Sequence, residues 1–183
     1  MERAAELFAE RGIAATSVDE VLAAARAGKG QFYHYFRGRD ELAAAAVGYR
    51  CAQVIAGLTG ALGGVSSLAG LERALGAFAA GFEEMGMPGC PIGTLSAEVA
   101  GRNEEARLQA AAGFDAWEQL LADALERMRQ RGELRADAQP AVLATGLLAS
   151  IEGGMVLSQA RRDAASLRIA VEAGLARVRT YLN

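Results

Sequence analysis

The sequence lacks, or nearly lacks, the residues that several functions require. His34 is its only histidine, so a histidine-based zinc site has little to build on and an HExxH pair is impossible. Two cysteines, Cys51 and Cys90, in 183 residues do not make a disulfide framework. Only three prolines occur and aromatic residues are 6 %. With alanine and leucine dominant, helix is favoured over strand on propensity alone. Positive charge is not in excess either. A formal net charge of −3 excludes a histone-like coat or a basic membrane-surface peptide, so a nucleic-acid site has to be local. The first residues show no basic region followed by an apolar stretch, as a secretory signal would, and the cytoplasm is the expected compartment. The longest apolar tract, Ala141 to Leu157, is broken by Thr145, Ser150 and Glu152 and reads as too short and too polar for a membrane span of ~20 residues. The motifs GxSxG, GxxxxGK[ST] and GxGxxG are all missing, and Glu83, Glu84 and Glu118 read as solvated helix faces. Neither an enzyme, a metal site nor a cofactor is expected.

What is present describes a folded, all-α chain. Apolar residues are 52 % and charged ones 22 %, a composition that buries a core. The length allows one body or a small head joined to a larger one. Residues 1–50 carry seven basic and seven acidic side chains and residues 51–183 carry twelve and fifteen, so the deficit of positive charge lies after residue 50. Arg26, Lys29, Arg37 and Arg39 fall together with no acid between them, the one concentrated positive patch. A first helix anchored by Leu7 and Phe8 should stop at Gly12. Ser17-Val18-Asp19-Glu20 fits a capping box, with a second helix from about Val18 to about Ala25. A third segment runs from Lys29 to Phe36, and Arg37-Gly38-Arg39-Asp40 leads into a fourth helix expected from about Glu41 to about Ala56. Gly57 to Ser67, rich in Gly and Ser, reads as a linker or loop. Further helices are expected from Leu68, from Pro91, over about Glu104–Arg131, over about Pro140–Gln159 and over about Ala164–Leu182.

The second and third helices have the dimensions of a helix-turn-helix, whose second helix lies in the DNA major groove. At ~100° per residue, Phe32, Tyr35 and Phe36 point to one side, and Ala27, Gly30, Gln31 and His34 to the other. Gly30, read as lying in mid-helix, costs about 1 kcal/mol against alanine, a cost that close approach by DNA would justify. Gln31 suits bidentate readout of adenine, whereas Lys29, Tyr33 and Arg39 stand at the flanks where phosphates would lie. Backbone amides near Ser17, with the Thr16 and Ser17 hydroxyls, suit another phosphate.

Thr16-Ser17-Val18-Asp19-Glu20-Val21, then Gly28-Lys29-Gly30-Gln31-Phe32-Tyr33-His34-Tyr35-Phe36, then Asp40-Glu41-Leu42, closely resembles the signature of the TetR/AcrR family of bacterial transcriptional regulators. The resemblance implies an all-α homodimer with a three-helix DNA-binding head at residues 1–40 and a helical ligand-binding and dimerisation body at residues 41–183. It implies DNA contacts by Thr16, Ser17, Lys29, Gly30, Gln31, Tyr33, His34 and Arg39. Gly89-Cys90-Pro91-Ile92-Gly93-Thr94-Leu95 resembles a motif of the LmrA/YxaF-like branch. Two features depart from the pattern. The chain begins at Met1-Glu2-Arg3, without the longer and often basic arm, so either the arm is absent or the start lies upstream. Arg26-Ala27 stands where a glycine and a larger apolar residue are usual.

In the body, Phe78, Phe82, Met85, Cys90, Phe114, Trp117, Leu121 and Met155 admit two readings, plain core or the wall of a ligand cavity that the resemblance implies. Trp117 is the strongest single candidate for an aromatic ligand. Glu152, isolated in an apolar helix, fits either a pairing across an interface or a cationic ligand. Cys90-Pro91 reads first as the start of a helix, then as pocket wall or redox switch, and Cys51 as packing on the fourth helix. The last two helices carry apolar stripes and glycines that permit close approach, suited to packing on their own body or to a four-helix interface between two copies. The function expected is a ligand-responsive repressor that binds double-stranded operator DNA as a homodimer and is released by a small hydrophobic or aromatic effector acting through the fourth helix. The alternative is a small-molecule-binding helical dimer with a degenerate DNA-binding head.

Overall fold

A computed structural model describes residues 1–183 and contains nine helices: α1 (Glu2–Arg11), α2 (Val18–Ala25), α3 (Lys29–Tyr35), α4 (Arg39–Leu62), α5 (Leu68–Glu84), α6 (Pro91–Val99), α7 (Glu104–Gln130), α8 (Pro140–Arg161) and α9 (Ala165–Arg179). The only extended pairing is an isolated antiparallel bridge between Leu134 and Leu182. The all-helical expectation holds. Local signals explain most boundaries. Gly12 ends α1 with φ +83, a backbone angle that side chains other than glycine's resist. At Ser17 both halves of the capping box form, and Pro140 and Pro91 start helices where a missing N–H costs nothing.

Contacts divide the chain into two compact units, residues 1–54 with 91–114, and residues 55–90 with 115–183. This division differs from a cut at residue 40, because side chains of α4 complete the core of the first three helices. That core comprises Ala4, Ala5, Phe8, Val21, Leu22 and Phe32 together with Leu42, Ala43 and Ala46. The small alanines bring short helices close, and each buried aromatic or leucine contributes ~1.5–3 kcal/mol. Within the same unit Cys51 is buried on α4, and its thiol lies where a side chain on Gly113 would need to be, 2.7 Å from the ideal Cβ position. Burial pushes the Cys51 thiol up from its ordinary pKa.

The second unit is built on α5, α7, α8 and α9, with Leu71, Leu75, Leu121, Leu125, Leu147, Ile151, Leu167 and Val178 all almost wholly buried. Helices α8 and α9 pack closely because two glycines allow it. A Cβ on Gly154 would stand 2.9 Å from the Leu167 Cα, and one on Gly174 would stand 2.5 Å from Leu147 Cδ1. Near the end of α8 Ser158, fully buried, accepts the Leu167 N–H of α9 at 2.9 Å with its hydroxyl.

Two expectations are corrected here. The stretch from Gly57 to Ser67 is not all linker: α4 continues through Gly57 and Gly60 to Leu62, and only the residues after it form a loop. Each helical glycine costs about 1 kcal/mol, but Leu62 is buried and Arg127 caps the end, donating to the carbonyls of Leu62 at 3.1 Å and Val65 at 2.8 Å. The Ala141–Leu157 tract does not fall short of membrane length either. It sits in the 22 residues of α8, and α8 and α4 are both long and apolar enough to cross a membrane, with mean hydropathies of 1.6 and 1.3. The hydroxyls that seemed to interrupt the tract fold back on the helix, Thr145 donating to the Ala141 carbonyl and Ser150 to that of Gly146. A buried core helix has the same length and composition, and α8 buries Leu143, Leu147, Ile151 and Met155 along one face.

Candidate nucleic-acid interface

The site is a seven-residue helix held by one aromatic anchor. Phe32 of α3 is buried in the head core. Its ring meets Tyr33 edge-on at 5.0 Å and Phe36 at 5.6 Å. With Phe32 inward, Lys29, Gly30, Gln31, Tyr33 and His34 are left exposed on the rest of the helix. Tyr33 is 66 % exposed, an unusual state for a large ring on a short helix. A helix of this length spans about 10 Å, enough for one pass along a major groove.

Three details differ from the sequence reading. Tyr35 does not join Phe32 and Phe36 on the inner side; it is 65 % exposed and stands edge-on to His34 at 4.9 Å. The helical wheel fails there because α3 ends at Tyr35 and Phe36 is already extended, with φ −133. Gly30 is not in mid-helix but is the second residue of α3, and a Cβ on it would meet no neighbouring group within 4 Å. Thr16 is buried, and its hydroxyl is committed to the Gly12 carbonyl at 2.8 Å, so it does not face outward.

Much of the positive patch is engaged within the head. Lys29 pairs with Asp19 at 3.0 Å, and that carboxylate raises the Lys29 pKa and keeps the ammonium charged. Arg37 pairs with Glu41, whose carboxylate also accepts the Arg37 N–H at 2.7 Å and is thereby lowered in pKa. Arg39, foreseen at a phosphate, is exposed and donates from Nη2 to the carbonyls of Ile13 and Ala14. Ser17 is exposed; its hydroxyl accepts the Glu20 N–H and donates to the Glu20 carboxylate. The backbone bond and the hydroxyl lower the Glu20 pKa, in that order. Arg26 closes α2 in the left-handed conformation, φ 51 and ψ 41, so the turn keeps a glycine-like geometry without glycine.

In the body, Phe78 and Trp117 stack edge to face at 5.7 Å. Phe82 of α5, Trp117 and Leu121 of α7 and Met155 of α8 are buried, as is Cys90 just ahead of α6. Met85 is corrected: it is 69 % exposed at the end of α5 and lines no interior. Phe114 is half-buried and belongs to the first compact unit. The Trp117 indole N–H and one Glu152 oxygen are buried without a hydrogen-bond partner. Burial raises the Glu152 pKa, against a smaller opposing effect of a hydrogen bond with Cys90. Cys90 directly precedes Pro91 at the start of α6, as expected. Sequence reasoning missed a 390 Å³ groove between α5 and α9, floored by Ala79, Val171 and Leu175. It is bounded by the ion pairs Glu83–Arg168 and Glu72–Arg179, each at 2.6 Å. The Ala14 N–H bond to Glu98 is likewise invisible in the sequence; no local motif marks either feature.

Known proteins agree with this geometry. Residues 1–46 match the family described as bacterial regulatory proteins, tetR family, and residues 67–173 match the C-terminal domain of LmrA/YxaF-like transcriptional regulators. The uncharacterized HTH-type transcriptional regulator Rv0196 of Mycobacterium tuberculosis is 34 % identical over 173 residues, covering 87 % of this chain and 82 % of that protein. The HTH-type transcriptional repressor DhaR of a Mycobacterium species is 25 % identical over 163 residues, covering 89 % and 82 %. Among solved structures, reduced E. coli NemR superposes with a TM-score of 0.78 at 26 % identity, covering 100 % of this chain and 94 % of that one. The chain therefore belongs to the TetR family of DNA-binding, helix-turn-helix transcriptional regulators, with a C-terminal domain of the LmrA/YxaF-like kind.

Proposed function

We propose that this regulator is a repressor that binds an operator palindrome as a homodimer in the cytoplasm and is released by a small hydrophobic or aromatic effector. The observation that carries the DNA half is α3, where Phe32 is buried and Gln31, Tyr33 and His34 are left exposed. Gln31 reads a base, while Lys29, Tyr33, His34 and Ser17 approach the backbone or groove edge, and Gly30 lets the backbone come close. Lys29 exchanges Asp19 for a phosphate on binding. Similarity to DhaR, a repressor by name, supports repression over activation.

The dimer half rests on an exposed apolar stripe. Val142, Gly146, Ala149, Gly153, Val156 and Ala160 alternate at spacings of three and four along the outer face of α8. Ile169, Ala173 and Ala176 do the same on α9, and Val142, Val156 and Ile169 are 58–69 % exposed. Two such pairs of helices make a four-helix interface and supply the second half-site about one DNA turn away. For the effector, the Phe78–Trp117 pair with Phe82, Leu121, Met155 and Cys90 offers an aromatic environment. The unpartnered groups of Trp117 and Glu152 favour a molecule with one acceptor and one donor, since each buried unmade bond costs ~1–3 kcal/mol. The effector acts only by binding the conformation of low DNA affinity better than the other.

The test is fluorescence anisotropy of the full chain on DNA from immediately upstream of its own gene against scrambled DNA, over a salt series. Discrimination of at least ~10³ is expected. Lys29→Ala should weaken binding to every duplex and reduce the salt slope by about one, whereas Gln31→Ala should chiefly lose discrimination, by ~1–3 kcal/mol. Weak and equal binding of the wild type to both duplexes would favour the other reading, a ligand-binding dimer with a degenerate head, for which the internal pairing of Lys29 and Arg37 already speaks.

A further inference from the structure

The loop from Gly12 to Thr16 delivers the chain to the N-cap of α2, and at Ala14 both backbone groups are held by charged side chains from distant helices. The Ala14 N–H donates to Glu98 Oε1 at 2.9 Å, across 84 residues of sequence. The Ala14 carbonyl accepts from Arg39 Nη2 at 2.8 Å, and Arg39 also reaches the Ile13 carbonyl. Glu98 lies near the end of α6 and presses against Gly12, where a Cβ would stand 3.0 Å from Oε1. Asn103 adds a tie beside Arg39, donating from Nδ2 to the Asp40 carbonyl at 2.9 Å. Within the loop, Ile13 is the side chain that packs on the head core as a partly buried apolar group. Residues 91–114 fall in the same compact unit as the head, although the matched DNA-binding segment ends at residue 46.

We propose that Glu98 is a positioning residue for DNA binding: by holding the Ala14 amide while Arg39 holds its carbonyl, it sets where Ser17 and the first amides of α2 meet the DNA backbone. The inference rests on the DNA-binding reading above and extends its machinery to α6. A helix N-terminus receives a phosphate only if its unpaired N–H groups point at it, and hydrogen bonds weaken steeply with misalignment. A loop free to shift spreads those amides over many positions and lowers affinity for the one register that also aligns Gln31.

The experiment uses the full chain and a duplex enriched by the wild type from a random pool. Anisotropy on that duplex and on a scrambled one is compared for wild type, Glu98→Ala and Glu98→Gln, and exchange of the Ala14 amide is followed without DNA. Glu98→Ala should bind the enriched duplex about tenfold more weakly, the scale of one charge-assisted hydrogen bond, with binding to the scrambled duplex nearly unchanged. Its Ala14 amide should exchange about tenfold faster. Glu98→Gln, whose amide oxygen still accepts, should restore both. Wild-type behaviour of Glu98→Ala, equal weakening on both duplexes, or no rescue by Glu98→Gln overturns the proposal. Should circular dichroism find Glu98→Ala unfolded, Glu98→Met against Glu98→Gln makes the same comparison at matched length. If the wild type enriches no duplex, specific DNA binding itself fails, and Ala14 exchange still decides the clamp: an unchanged rate in Glu98→Ala overturns it.

Discussion

The head and the α8–α9 pair both expose side chains that a lone folded chain does not need exposed, but of opposite character. On α3 they are polar or amphipathic, Gln31, Tyr33 and His34, with ionic side chains beside them. On α8 and α9 they are aliphatic or absent, Val142, Gly146, Gly153, Val156 and Ile169. Donors and rings at the rim of a small core suit a polyanion of regular geometry, whereas an aliphatic face with exposed glycines suits close approach of another backbone. The two regions also use small residues differently. In the head, alanines fill a core between short helices and an arginine occupies a glycine-type turn. In α8, adjacent glycines face opposite ways: Gly153 is exposed with nothing near its Cβ position, while Gly154 is buried against Leu167 and Ala170.

The contrast can be broken at its strongest point by placing a charge on the stripe. A Cβ on the exposed Gly153 would meet no neighbouring group within 4 Å, so Gly153→Glu should leave helix content and monomer fold intact. In a two-fold interface the substitution occurs twice, and burying unpaired carboxylates should weaken association by about 10³-fold or more. Light scattering at micromolar concentration should find monomer; an intact dimer would move the interface elsewhere. The neighbouring Gly154→Ala should do the reverse, leaving association of the folded protein alone but costing ~1–3 kcal/mol of stability through overpacking against the Leu167 backbone. Denaturant unfolding at fixed protein concentration reads this, and an unchanged midpoint would mean that α8 and α9 can separate freely. The smallest effect belongs to the head. Arg26→Gly relieves a left-handed arginine and should stabilise by up to about 1 kcal/mol, with a higher Tm. A loss of stability would show that the Arg26 side chain, and not only its backbone, holds the turn.

Local chemistry makes much of the fold legible in the sequence. The capping box at Ser17, the stop at Gly12 and the prolines at 91 and 140 act over one helical turn, and they stand where the pattern predicts them. The helix carrying Lys29, Gln31, Tyr33 and His34 was legible for the same reason. Errors collected where a distant partner decides. Glycine-rich residues after Ala56 were expected to form a loop, but burial of Leu62 and capping by Arg127 carry α4 onward. Met85 was placed with the aromatic set, yet it caps α5 facing solvent. Charge and position favour Arg39 at a phosphate, and the loop carbonyls that also hold its Nη2 cannot be seen from its neighbours.

The sequence by itself determined the helical class, most helix starts, the turn between α2 and α3 and the family, since periodicity, capping and a dense local motif are properties of adjacent residues. Only the tertiary structure decided which charges remain available and which parts of the chain share a unit. Lys29 meets Asp19, Arg39 meets Ile13 and Ala14, and Glu98 returns from α6 to hold the loop before α2. The physical reason is range: capping and amphipathicity are settled within a few residues, whereas an ion pair or a hydrogen bond across 84 residues depends on how whole helices pack.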